Sequence, residues 1–280
     1  MLPFSQLTRY GNTVVRNDDD KNPNSLTGTV STLGTNTNFG AYGTRMTSYK
    51  EKLFAITQSS QIFQINPEDD TFTQIATRPV SVRNIAFTTN GQYIYCAGGY
   101  SNTNRFDRYN LTTGTWDTLA NLPSATYDHS ICVDYDNNDF IYYQKNNVFY
   151  KYDIVNNVWI TTGSASLPFY TTNSAEGGWI YSSGYIYYLY GNNFAKYSIE
   201  TNKWSTLANY PGSGSRQKIS RMGDNIYARS STNGLYAYKL STNSWTLLNS
   251  SLPVGHAEGG LVCSYNHAYA ISTSTLYKIV

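Results

Sequence analysis

Residues 107–119 read DRYNLTTGTWDTL, in which Tyr109 stands seven positions before Trp116 and the residues between them are turn formers. An aromatic, a short polar turn and a second aromatic make a hairpin with one large ring on each strand. The frame recurs as FQINPEDDTFTQI (63–75), YKYDIVNNVWITT (150–162), AKYSIETNKWSTL (195–207) and YAYKLSTNSWTLL (236–248). Ile65, Tyr152, Tyr197 and Tyr238 take the first position there, and Phe72, Trp159, Trp204 and Trp245 the second. An apolar residue usually follows three later, as Ile75, Leu119, Leu207 and Leu248 do. A unit that repeats in this way buries its apolar face against the next copy of itself.

Upstream of each hairpin lies another strand with a common apolar core: LFAI (53–56), IYCA (94–97), IYYQ (141–144), IYYL (186–189) and IYAR (226–229), with AYAI (268–271) as a sixth copy. Their aromatics, Phe54, Tyr95, Tyr142, Tyr187, Tyr227 and Tyr269, recur every 40 to 47 residues. One more apolar stretch precedes each, such as GGWIYS or KISRM. The pattern predicts four short strands per repeat and six repeats, an all-β, six-bladed β-propeller of four-stranded antiparallel blades. The last repeat stops one strand short, at STLYKIV, and Val30-Ser-Thr-Leu33 matches Trp204-Ser-Thr-Leu207. The closing blade is therefore expected to be split between N- and C-terminal strands, which removes the free sheet edges of an open ring.

Residues 27–280 form the expected propeller, and residues 1–26 fall outside the repeat. The polar run RNDDDKNPNS (16–25) reads as a disordered leader, or as an arm that reaches a neighbouring subunit with Leu2, Phe4 and Leu7 as anchors.

The repeats resemble those of the kelch family, which carry Gly-Gly after a hydrophobic strand, then Tyr-Asp, then Trp. IYCAGG (94–99) has the first element, and Tyr152-Asp153 with Trp159 has the others. The resemblance implies a propeller whose first strand is innermost in each blade. It also implies that this strand enters from the face carrying the loops between second and third strands.

Counting back eleven residues from the second-strand aromatic places Gly43, Asn84, Glu176, Arg216 and Glu258 at the channel mouth on that face. His129 joins them if the turn DYDNND (134–139) takes two extra residues. Glu176 and Glu258 both lie in the tetrapeptide AEGG, with Arg216 at the equivalent place between them. In one reading Arg216 neutralises both carboxylates, and Gly177, Gly178, Gly259 and Gly260 relieve crowding near the axis. In the other, the arginine orients an anionic or sugar ligand while a glutamate moves protons. Loops 98–105, 144–147, 189–194 and 229–234 would form the rim, with Tyr100, Arg105, Tyr190 and Arg229 as its contacts.

Charged residues make up only 14% of the chain and the net charge is +2, with lysines and arginines scattered. No electrostatic footprint for nucleic acid results. No signal peptide or membrane span is expected, leaving a cytoplasmic or virion setting. Cys96, Cys132 and Cys263 lie in apolar runs without CxxC spacing and are expected as buried thiols. The acidic turn 134–139 lacks the glycine and terminal glutamate of a calcium loop and reads as a solvated hairpin turn. The three histidines fall in different repeats, so neither metal nor cofactor is expected.

These features favour a non-catalytic recognition or assembly module that binds a protein or glycan partner. The Asn/Thr/Tyr-rich composition is similar to that of virion tail and adhesion components. The kelch resemblance also implies an alternative, since some six-bladed relatives are sialic acid mutarotases, in which Glu176, Arg216 and Glu258 would act.

Overall fold

Each aromatic hairpin forms the outer half of a four-stranded antiparallel sheet, and the described residues contain six such sheets. The computed structural model describes residues 25–40, 44–101, 103–125, 130–145, 148–161, 168–169, 178–212, 217–229, 234–253, 259–264 and 266–280. Blades 1 to 5 occupy residues 45–77, 86–118, 131–161, 178–206 and 218–249 in sequence order. Blade 6 joins residues 261–279 to the strand Val30–Thr35, which pairs antiparallel with Thr275–Ile279 from Val30↔Ile279 to Thr35↔Thr275. The split closing blade is thus present. Around it, Thr27 and Gly28 donate backbone N–H bonds to the Val280 carbonyl at 2.8 and 2.9 Å. Leu26, at the end of the segment set apart from the repeat, is buried among Tyr227, Leu235 and Leu252.

The first strands Arg45–Tyr49, Ala86–Thr89, Ile131–Val133, Gly178–Ser182, Lys218–Met222 and Leu261–Ser264 touch one another around the axis. The second strands are covered on both faces, which is why LFAI and IYCA read as unbroken apolar runs instead of alternating ones. Outer strands show the opposite pattern. In Lys203–Thr206 only the Trp204 side is partly covered, because one face packs on the adjoining blade and the other meets solvent.

The Tyr/Trp frame encodes the joints between blades. Asn157, two residues before Trp159, adopts a left-handed φ of 53°. Its Oδ1 accepts bonds from Tyr152 Oη (2.7 Å) and from the backbone N–H of Ala120 in blade 2 (2.7 Å). Trp159 Nε1 donates to the Ala120 carbonyl at 3.0 Å, so both backbone polar groups of that residue are held. Blade 5 repeats the arrangement on blade 4: Asn243 (φ 50°) accepts from Tyr238 and Ala208, and Trp245 donates to the Ala208 carbonyl. In blade 2, Gly114 stands at the asparagine position with φ 71°, and the freed Tyr109 hydroxyl donates to the Ile75 carbonyl of blade 1 at 2.9 Å.

Asn157→Ala should cost about 2 kcal/mol, from two lost hydrogen bonds, one of them exposed, and from a left-handed backbone that alanine disfavours. Asn157→Gly should recover the backbone share alone. Urea unfolding of the two variants separates these contributions, and a glycine variant as stable as wild type would contradict the bonding role.

Candidate functional site

The loop Gly98–Arg105 joins the second and third strands of blade 2, on the face where the sequence places the rim. Gly98 and Gly99 have φ of 63° and 134°. A Cβ on Gly99 would stand 2.4 Å from Val82 Cγ2, so the kelch-like Gly-Gly is needed here for both torsion and space. The chain folds back so that the Tyr100 N–H donates to the Arg83 carbonyl at 2.7 Å. The Arg83 guanidinium lies 4.1 Å from the Tyr100 ring centroid, a cation–π contact, and Tyr100 remains 45% exposed.

Beneath this loop sits a buried ion cluster. Arg78 is fully covered, and its Nε donates to Asp107 Oδ2 at 2.8 Å. Arg78 Nη1 and Nη2 donate to the carbonyls of Gly98 (2.8 Å) and Arg105 (3.1 Å), the two ends of the loop. Arg105 Nε donates to both oxygens of Asp107 at 2.9 Å. The one carboxylate thus bonds both guanidinium groups, and Arg78 clamps the base of the loop. Arg78 and Asp107 were not recognised from the sequence, although a signal was there. Six residues after the hairpin aromatic, Arg78 replaces the buried Leu122 and Tyr210 of other blades, and Asp107 replaces Phe63, Tyr150, Ala195 and Tyr236.

Among the residues expected at the mouth, Asn84 is 8% exposed with φ 59° and lies two residues before Ala86–Thr89, the first strand of blade 2. Gly43, His129, Glu176, Arg216 and Glu258 lie outside the described residues, as do Gly177 and positions 146–147 and 230–233 of the expected rim loops. Of the residues expected as rim contacts, Tyr100 is exposed. Arg105 is partly exposed but committed to Asp107. Tyr190 is half-buried against Tyr188, with ring centroids 6.5 Å apart. Arg229 requires a correction: it is 1% exposed, not a rim residue. It occupies the position of Ile56, Ala97, Leu189 and Ile271 at the end of a second strand, a place covered on both faces. Desolvation there lowers its pKa to about 10.

A cavity of about 260 Å³ lies on the axis, lined by all six first strands and reaching the turns that follow them, away from the Tyr100 loop. Tyr135, from the turn after the first strand of blade 3, crosses towards blades 1 and 2. Its hydroxyl contacts Thr47 and Thr88, and burial pushes its pKa up to about 12. Its ring lies 6.1 Å from Tyr49 and 6.5 Å from Tyr181, centroid to centroid.

The turn 134–139 is a hairpin turn solvated only in part: Asn137 and Asp139 are exposed, but its first residues are covered. Asp134 is 4% exposed, and its Oδ1 accepts the Asp136 N–H at 3.0 Å. Asp136 lines the cavity and accepts a hydrogen bond from the Tyr181 hydroxyl of blade 4. Burial, reinforced by that bond, raises the Tyr181 phenol far above its ordinary range.

Serines tie the wall together: Ser48 Oγ donates to the Cys263 carbonyl (2.8 Å), the Cys263 N–H to Ser220 Oγ (2.8 Å) and Ser264 Oγ to the Lys50 carbonyl (2.7 Å). The three cysteines are free and buried, and desolvation pushes the Cys96 and Cys263 thiols up to about 12, so they stay protonated. Among the described residues no cluster of His, Cys, Asp or Glu could hold a metal, and no helix is long and apolar enough to cross a membrane.

Residues 82–123, which span blade 2, the Tyr100 loop and Asp107, match the family model of the kelch motif. No curated protein matches the chain.

Proposed function

We infer that this protein, a six-bladed β-propeller of the kelch type, is a docking scaffold that holds a protein partner on the face bearing the Tyr100 loop. The observation that carries this reading is the Tyr100–Arg83 pair. Tyrosine and arginine are the residue types that dominate binding energy at protein interfaces, because each offers a large rigid contact surface with a polar tip. Here the ring is exposed, yet its backbone is fixed by the Gly-Gly turn, by the bond to Arg83 and by the buried Arg78 clamp. A partner that covers Tyr100 therefore orders little that is not already ordered.

Affinity capture with wild-type protein, followed by calorimetric titration of the captured protein, tests the assignment. Tyr100→Ala should weaken binding at least ten-fold, about 1.4 kcal/mol, and Arg83→Ala should have a similar effect, with the melting temperature of both unchanged. A partner bound equally by wild type and both variants would place the docking surface elsewhere, and no retained protein at all would overturn the reading.

A further inference from the structure

We propose that the axial cavity at the opposite end of the ring is a binding site for one neutral pyranose unit. The site is independent of the docking face, so either assignment survives failure of the other.

Four features of the cavity lead to this ligand class. Its size, about 260 Å³, lies just below the usual range of ligand pockets, about 300–1,000 Å³, and suits a single ring better than an extended chain. Its lining is chemically mixed in the way a pyranose is. Tyr49, Tyr135 and Tyr181, from blades 1, 3 and 4, offer ring surface to the C–H groups of a sugar face. Ser183, Asp136 and Arg221 supply groups that hydrogen-bond hydroxyls. The charges also balance: Lys50 and Arg221 stand against Asp136 and its turn neighbour Asp134, so no net field selects an ion. Finally, the wall is built before any ligand arrives. The Ser48, Ser220 and Ser264 bonds stitch blades 5, 6 and 1, the Asp136–Tyr181 bond joins blades 3 and 4, and Tyr135 reaches blades 1 and 2. Little conformational freedom remains to be lost on binding.

Lys50 and Ser183 are both exposed in turns at the open end and mark the mouth. Ser183 is exposed and already bears the cost of a left-handed φ of 48°, so Ser183→Trp should lower stability modestly, still fold and obstruct entry.

Ligand-observed saturation-transfer NMR with methyl β-glucoside, methyl β-galactoside and N-acetylglucosamine provides the test, with glucuronate and N-acetylneuraminate as anionic controls. At least one neutral sugar should receive saturation on its ring protons, with a Kd on the order of 1 mM expected for so small a ligand. Ser183→Trp should abolish the signal, and Asp136→Asn should weaken binding at least five-fold, with circular dichroism unchanged for both. The proposal fails if no neutral sugar is saturated, if both folded variants bind as wild type does, or if only the anionic sugars bind.

Discussion

Asp107→Ala should destabilise the propeller by about 3–5 kcal/mol, the cost of removing one partner from a buried ion pair and leaving a charge without compensation. Arg78 has no side-chain exposure, so water cannot replace the lost carboxylate. Its bonds to the Gly98 and Arg105 carbonyls satisfy hydrogens without neutralising charge. Arg78→Leu should cost less, because Arg105, about a third exposed, still pairs with Asp107. The combined Arg78→Leu/Asp107→Ala variant should be markedly more stable than the sum of the two single effects predicts, since it installs apolar residues of the kind other blades carry at both positions. Equilibrium urea unfolding of the four proteins measures the coupling. Additive losses, or an Asp107→Ala loss below 1 kcal/mol, would show that the cluster does not act as a unit. The same variants bear on docking: the double variant lacks the clamp on the Tyr100 loop, so partner binding should fall even where stability recovers.

This cluster also shows why the fold was legible in the sequence while the site was only partly so. The seven-residue Tyr-to-Trp spacing is the chemical expression of a joint, in which Asn157 and Trp159 grip the backbone N–H and carbonyl of Ala120. A joint that must be made at each blade boundary leaves a repeated trace, so counting repeats was enough to recover six blades and the split closure. Functional residues are departures from the repeat, and a departure has no second copy to confirm it. Arg229 begins the polar loop 229–234 and so reads as a rim residue, although its place in IYAR matches Ile56 and Leu189, which are buried. The turn of Asp134 and Asp136 lacks the pattern of a calcium loop and so reads as solvated, but it follows an innermost strand, and Asp136 meets Tyr181 of the next blade. A charged residue at a position the other blades keep apolar is the signal that would have found Arg78, Asp107 and Arg229 together.

One of the two readings of the AEGG stretches has their glycines relieve crowding near the axis, and the described ones stand in very close contact. A Cβ on Gly178 would lie 2.9 Å from the backbone nitrogen of Ile219 in blade 5, and one on Gly260 would lie 2.4 Å from the Met46 side chain of blade 1. Each glycine therefore allows an inner strand to abut its neighbour. Gly259 is tighter still, since its Cβ would fall 1.6 Å from the Ile271 carbonyl oxygen of its own blade. That oxygen is main chain within a paired strand and cannot rotate aside. Relief requires moving the second strand of blade 6, the blade that closes the ring through Val30–Thr35. Gly259→Ala should accordingly cost on the order of 4 kcal/mol or more, in the range reserved for backbone clashes and core disruption. Gly260→Ala should cost less, about 1–3 kcal/mol, because its overlap with Met46, 2.4 Å to Cβ and Cγ and 2.8 Å to the backbone nitrogen, is shallower than the 1.6 Å approach at Gly259. Thermal unfolding orders the two: Gly259→Ala should melt well below Gly260→Ala, and the reverse order would mean that contact with blade 1, not the fit within blade 6, sets the need for the glycine pair.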